Sequence, residues 1–311
     1  MATIVSSGVA AGDTGPCPNR PRRRDWRGWI FVAPFVVIFL FVFVAPLIYA
    51  AVSSLFAYRA FQGETVFVGI GNYLKLFQDG LFWAGLWRVV LVLAVQVPIM
   101  LLIAMFVAIA IDSGRLHGTN FFRLAIFLPY LIPTVVAALI WGFMYGTNYG
   151  LASQINVIFG TQVNPFAPQW ILLSISNVIT WTYVGYNMLI FYSSLRTINT
   201  SLYEAALIDG ASEWQIVRYI KIPHLRGSIA ITLIFSIIGT FQLFNEPSIM
   251  QKMAPAVITN SFTPNMYAYN LSFGSGQQEY AAALAIVMGV ITVIVAYIVQ
   301  LRGLNANEGK A

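Results

Sequence analysis

The sequence predicts an all-α integral membrane protein of six transmembrane helices with both termini on the cytoplasmic side. Three observations predict it: a composition suited to lipid, six long apolar runs and a one-sided distribution of bases. Of 311 residues, 59% are hydrophobic and 9% are charged, with a mean hydropathy of +0.75, whereas a soluble domain carries about 25% charged residues. Uncharged runs lie at Trp29 to Val52, Val89 to Ile111, Leu124 to Tyr145, Trp170 to Leu195, Gly227 to Asn245 and Ala281 to Leu301. Each approaches or exceeds the ~20 residues that carry a helix across about 30 Å of hydrocarbon. They are apolar on all sides, unlike barrel strands, which alternate over about 10 residues.

Residues 1–28 read as a basic cytoplasmic tail, of which the first twenty are rich in Gly, Ala, Ser and Pro without periodicity and suit disorder. The single cysteine, Cys17 in "GPCP", excludes an internal disulfide framework and a Cys-based zinc site, and an inert thiol suffices to explain it. The first run follows "RPRRRDWR" as a signal peptide would. Its 24 residues exceed the roughly 7 to 15 of a signal core and no A-x-A-like site follows, so it is expected to be retained. The next segment, "VFVGIGNYLKLF", mixes Tyr, Phe and Lys and suits an interfacial element. Pro98, Pro129, Pro133 and Gly142 lie inside runs, where neighbouring helices satisfy freed carbonyls. Both ordinary packing and functional kinks fit them. The six spans form a domain over 29–302, with a cytoplasmic loop at 196–226 and a cytoplasmic tail at 303–311.

Orientation follows from the bases. With the N-terminal tail inside, inner segments hold thirteen Lys and Arg residues and outer segments hold four, Arg59, Lys75, Arg88 and Lys252. That bias over short loops puts both termini in the cytoplasm.

The absences narrow function. The chain has no G-x-x-x-x-G-K-[ST] phosphate loop, no H-E-x-x-H and no G-x-S-x-G, and His117 and His224 fall in different loops. No cofactor or metal is expected on this chain. The bases do not cluster on a soluble domain, so nucleic acid is not expected as a partner, and membrane lipid is. The runs lack the series of buried acids and bases that a proton relay or voltage sensor needs.

One inner stretch breaks the apolar pattern: "YEAALIDGASEWQIVRYIKIP", Tyr203 to Pro223. Ser201 and Glu204 have the spacing of a helix capping box, and Ser212 with Gln215 repeats it. Two short helices are predicted, about Leu202 to Asp209 and about Glu213 to Lys221, hinged at Gly210 and ended before Pro223. Ile216 and Ile220 share a face beside Val217, with Arg218 and Lys221 off it. So short a helix needs a partner for that face, either the inner ends of the spans or another protein. A membrane-surface elbow whose glutamate only caps a helix fits the same residues.

The run Glu204, Ala205, Ala206, Gly210, Ile220, Ile222, Pro223 resembles the E-A-A, three residues, G, nine residues, I-x-L-P loop of permease subunits in binding-protein-dependent ABC importers, with Ile222 for the usual Leu. The resemblance covers about residues 29 to 302, and "VGIGNY" and "FQLFNEP" look like carbohydrate-type members near the larger maltose-system permease, here without its large external domain. It implies a type I importer permease fold. It further implies a second homologous permease, two ATPase subunits that use ATP and Mg²⁺, and an extracytoplasmic solute-binding protein, in a bacterial or archaeal plasma membrane. Glu204, Ala205, Ala206, Asp209, Gly210, Ile216, Ile220 and Pro223 would then couple to an ATPase.

A sugar requires hydrogen-bonding groups beside flat apolar faces. The fourth run carries Asn177, Trp181, Tyr183, Tyr186 and Asn187, and the fifth ends in Gln242, Asn245 and Glu246. Tyr183, Tyr186, Asn187, Gln242, Asn245 and Glu246 are the candidate solute contacts, although interhelical hydrogen bonds and interfacial rings account for such residues too. The expected function is import of a di- or oligosaccharide by alternating access; a glycerol-phosphate-type importer, a stand-alone carrier or channel, and a membrane scaffold are the alternatives.

Overall fold

The computed structural model describes residues 27–59 and 63–308. Most of the expected basic tail, with Cys17, lies outside the described residues, as do residues 309–311. By its contacts the chain divides into a unit ending at Ile48 and one beginning at Tyr49. The first holds α1 (Arg27–Phe39), a π turn at Leu40–Val44 and the start of α2 (Ala45–Ser53). Phe35, Phe39 and Phe43, four residues apart, stack at 6.0 and 5.6 Å.

The second unit opens with a departure from the all-α expectation. Phe56–Arg59 (β1) and Glu64–Phe67 (β2) form an antiparallel hairpin in which Phe56 faces Phe67. Aromatic and β-branched residues in "FAYR" and "ETVF" favour a pleated pair over another helical turn. Asn72, in α3 (Gly71–Phe77), donates from Nδ2 to the carbonyls of Ser54 and Phe56 at 2.8 and 2.6 Å, which ties this short helix to the hairpin. The expected interfacial segment is therefore a strand followed by a helix.

Helix α4 (Gly80–Asp112) is 33 residues long and starts nine residues before its apolar run, because Asp79 caps it by accepting from the Leu81 N–H at 2.9 Å. It continues through Pro98. The third run, by contrast, is broken: α5 (Thr119–Phe127) leads through a 3₁₀ turn at Leu128–Leu131 into α6 (Thr134–Met144), at a bend of 98°. Pro133 holds Ile132 extended at ψ 128°, which ends the first segment. After α7 (Leu151–Phe159) comes α8 (Ile171–Leu195), then α9 (Thr200–Ile208), α10 (Glu213–Ile216) and α11 (Ile222–His224). The chain closes with α12 (Arg226–Phe241), α13 (Asn245–Met250), α14 (Pro264–Tyr269) and α15 (Gln278–Glu308), the last reaching into the segment expected to be a tail.

Among the described residues, Trp29–Ser53, Gly80–Asp112, Arg226–Met250 and Gln278–Leu301 are long and apolar enough to cross a membrane, and the bent pair makes a fifth. Helix α8 is not among them. Its 25 residues include Ser174, Asn177, Thr182, Tyr183, Tyr186 and Asn187, and the chain itself buries Ser174, Thr182 and Asn187.

Packing radiates from α4. Its Val89 joins a cluster with Phe82, Phe241 and Leu284, its Val92 one with Ile175 and Met250, and its Val97 and Ala104 one with Met188, Phe191 and Leu225. Against α8 the broken span comes unusually close. A Cβ on Gly185 would lie 2.0 Å from the carbonyl oxygen of Ile126, so a side chain there would force backbone apart. Gly185→Ala is therefore expected to cost about 1–3 kcal/mol. A lower midpoint of thermal unfolding in detergent checks it, and an unchanged midpoint refutes the close approach.

Candidate functional site

The helices leave a cavity of about 360 Å³ between α4, α8, α12 and the turn after α12. All six candidate solute residues line it: Tyr183, Tyr186 and Asn187 from α8, Gln242 from the turn, Asn245 and Glu246 from the start of α13. They converge because α12 stops at Phe241, and residues 242–244 turn the polar end of the fifth run inward. Asn187 and Glu246 are buried. Asn187 donates from Nδ2 to the Tyr183 carbonyl at 3.1 Å, and Asn245 donates to Thr134 Oγ1 at 3.5 Å. Asn177 and Trp181 stay off the cavity: Asn177 donates to the Tyr145 hydroxyl at 2.8 Å, and Trp181 packs edge-on against Trp141.

Several lining residues escaped the sequence. Tyr130, in the bend of the broken span, stacks on Tyr186 at 4.8 Å and meets Tyr183 edge-on at 5.9 Å. Gln96 and Met100 come from α4. Gln96 donates from Nε2 to Thr180 Oγ1 at 3.3 Å, while its buried Oε1 has no partner among the described residues. A lone glutamine in "VLAVQVPIM" is a usable signal, since a buried amide demands a partner. Nothing local marks Tyr130 as facing α8. The lining holds one carboxylate, Glu246, and no Lys, Arg or His. It presents ring faces beside hydroxyls and amides, the surroundings that suit an uncharged polyhydroxylated molecule.

Residues 196–226 connect α8 and α12, two of the helices that border the cavity. Helix α9 is capped by Asn199, whose Oδ1 accepts from the Ser201 N–H at 3.1 Å, rather than by the expected Ser201–Glu204 box. It ends at Gly210, with φ +78°, a conformation costly for residues with a side chain. The second box forms: the Ser212 N–H donates to Gln215 Oε1 at 2.6 Å and the Gln215 N–H to Ser212 Oγ at 3.4 Å. The predicted stop before Pro223 does not occur. A π turn at Val217–Lys221, closed by the Ile222 N–H donating to the Val217 carbonyl, leads into α11, and the chain passes Pro223, which has no N–H to donate, without a break.

The apolar face is also redistributed. Ile216 is buried, and Ile220 and Tyr203 pack on the cluster around Leu195, Ile198 and Leu225, so this stripe is met by the chain's own helix ends. Glu204, Ala205, Asp209 and Gly210 are exposed, Ala206 and Pro223 half-buried. What remains open is a different apolar set, Leu207, Ile208 (87% exposed) and Trp214. Lys221, expected off the buried face, is inside: its Nζ lies 2.6 Å from Asp112 Oδ2 at the end of α4, with both side chains under 10% exposed. It also lies 5.4 Å over the Tyr203 ring. Burial, then the Asp112 charge, pushes the Tyr203 hydroxyl up to about 12. Arg115 and Glu213 add a solvent-exposed pair at 2.9 Å, which contributes little.

A chain of long apolar helices around a polar cavity, with a polar helical loop between two cavity-lining helices, has the build of a membrane transport subunit. Residues 68–302 match the family described as binding-protein-dependent transport system inner membrane component, and the chain belongs to that family. It is a multi-pass inner-membrane component. It is 31% identical over 282 residues, 89% of this chain and 94% of the relative, to the lactose transport system permease protein LacF of Rhizobium radiobacter. To the diacetylchitobiose uptake system permease protein NgcF of Streptomyces coelicolor it is 30% identical over 337 residues, covering 99% and 94%. The fold is similar, at a TM-score of 0.79 and 19% identity over 91% of this chain and 96% of the other, to a chain from the crystal structure of a bacterial ABC transporter involved in the import of the acidic polysaccharide alginate.

The buried pair makes a prediction. Lys221→Met or Asp112→Leu alone strands a charge and is expected to cost about 3–5 kcal/mol, whereas the double replacement is expected to recover most of it. Thermal unfolding of the two single variants and the double variant checks this, and additive losses would refute the pairing.

Proposed function

We propose that this chain forms half of the pathway of an ATP-driven importer for an uncharged di- or oligosaccharide. The observation that carries the reading is the cavity in which Tyr183, Tyr186, Asn187, Gln242, Asn245 and Glu246 meet, between two helices joined by residues 196–226. Stacked Tyr130 and Tyr186 offer ring faces to sugar C–H groups, and the amides with Glu246 offer partners to hydroxyls. A lining without Lys, Arg or His favours a neutral solute over a phosphorylated or acidic one. The names of the relatives, which include lactose, arabinooligosaccharide and diacetylchitobiose systems, support the sugar class.

In this reading the chain spans six times: Trp29–Ser53, α4, the bent pair, α8, α12 with α13, and α15. At ~1.5 Å per residue, the 25 residues of α8 reach across the hydrocarbon, and its polar groups are tolerated because they face protein and cavity. An even count puts both termini on one side, and the bases choose the cytoplasm. The exposed Leu207, Ile208 and Trp214 beside Glu204 and Gly210 suit a groove on an ATPase subunit, which would use ATP and Mg²⁺ where this chain has no phosphate loop. A second permease completes the pathway, a solute-binding protein delivers from outside, and the chain alternates between inward and outward access.

Two variants test it in the reconstituted transporter. Proline at 210 cannot adopt φ +78° and removes the N–H that donates to the Leu207 carbonyl. Gly210→Pro is expected to abolish solute-stimulated ATP hydrolysis, while Gly210→Asn, which tolerates that conformation, keeps most of it. Normal stimulation in the proline variant would end the coupling role. Gln242→Ala is expected to weaken sugar uptake roughly three- to tenfold with basal hydrolysis retained, the effect of one lost neutral hydrogen bond. Unchanged uptake removes Gln242 from the pathway.

A further inference from the structure

A second cavity, of about 280 Å³, opens beyond α12, at the end of the fold away from residues 196–226. One wall is aromatic: Phe244, Tyr269 and Phe273 form a continuous row, with centroids 5.3 and 4.9 Å apart. Tyr269 and Phe273 are 55% and 75% exposed, so this row presents open ring faces. The other wall is a chain of amides. Gln251 donates from Nε2 to Asn260 Oδ1 at 2.7 Å, and Asn260 donates from Nδ2 to Asn270 Oδ1 at 3.4 Å. The two ends of that chain, Gln251 Oε1 and Asn270 Nδ2, have no protein partner among the described residues, which leaves one acceptor and one donor for a ligand.

The backbone accommodates this arrangement. A π turn at Asn270–Gly274, a feature frequent at functional sites, follows α14 and carries both Asn270 and Phe273. A Cβ on Gly274 would lie 2.5 Å from Asn270 Oδ1, so the amide keeps its position only while residue 274 lacks a side chain. No Asp, Glu, Lys, Arg or His borders the cavity. Open ring faces opposite unpaired amide groups, without charge, match a sugar, whose C–H face stacks while its hydroxyls bond. Lipid would leave the amides unsatisfied. Phe244 lines this cavity and the central one alike, so the two are neighbours in the fold.

We infer that the cavity between Tyr269, Phe273 and the Gln251–Asn260–Asn270 amides is an outer subsite that binds an uncharged carbohydrate before it enters the central cavity. The inference rests on the transport reading for the class of solute, and its test separates the two. In a Cys17→Ser background, Ser248→Cys places a thiol in the outer cavity and Ser236→Cys one in the central cavity. Labelling by a methanethiosulfonate reagent is followed in membranes carrying the full chain with its partner subunits, with lactose, cellobiose and maltotriose as probes. At a probe concentration ten times its dissociation constant, labelling at position 248 is expected to slow about tenfold. Adding Tyr269→Ala is expected to raise the half-protecting concentration roughly five- to tenfold, and Tyr269→Phe to leave it near the original. Protection at 236 with none at 248 from any probe overturns the outer subsite and leaves the central reading standing; protection at 248 with none at 236 does the reverse. Protection at 248 by sugar-free solute-binding protein alone assigns the cavity to protein docking and also overturns the proposal. So does protection that Tyr269→Ala leaves unchanged.

Discussion

Helix α8 lies against α4 along most of its length, and the polar interior of the molecule depends on that contact. A helix that carries Ser174, Thr182, Tyr183, Tyr186 and Asn187 is poorly suited to lipid, but α4 is apolar over most of its length and takes part in all three hydrophobic clusters. Packing on α4 and its neighbours buries Ser174 and Thr182 within the chain and leaves Tyr183, Tyr186 and Asn187 lining the cavity. Gly185 extends the arrangement to the broken span, because without a Cβ the chain at Ile126 and Phe127 comes to contact distance and brings Tyr130 over Tyr186.

The same α4 reaches the inner loop. Its last residue, Asp112, holds Lys221 in an ion pair shielded from water, and Tyr203 of α9 lies under the ammonium group. Thus the loop that bears the E-A-A run is joined to a helix whose Gln96 and Met100 line the cavity. Such a pair contributes little net stability, since desolvation offsets much of the attraction, but it fixes position strictly because either charge alone would be costly. The loop is therefore held to α4 at a point that neither partner can leave without stranding a charge.

Much of the architecture was legible from the chain. The apolar runs mark the long helices, and the limits of α8 and α12 fall close to the run limits. The E-A-A spacing located the loop, and six polar or aromatic residues named from two runs lie together in one cavity. Other features were not legible, each for a definite reason. The third run reads as one span because hydropathy is blind to direction, and the 98° bend arises from Pro129 and Pro133 acting with the close approach at Gly185. The hairpin at Phe56 to Phe67 is too short for a periodic signal. Asn199 rather than Ser201 caps α9 because two residues with capping side chains compete within one turn.

The inner loop marks the division most clearly. Its two-helix build, its turn at Gly210 and the Ser212–Gln215 box are local, set by side chains a few residues apart, and they follow from the order of residues alone. Which face of the loop is open was decided only in three dimensions. Ile216, Ile220 and Lys221 are adjacent to apolar helix ends and to Asp112, 109 positions away from Lys221, and they turn inward, which leaves Leu207, Ile208 and Trp214 outward. Local spacing specifies which residues share a face; burial depends on what the distant chain brings against that face.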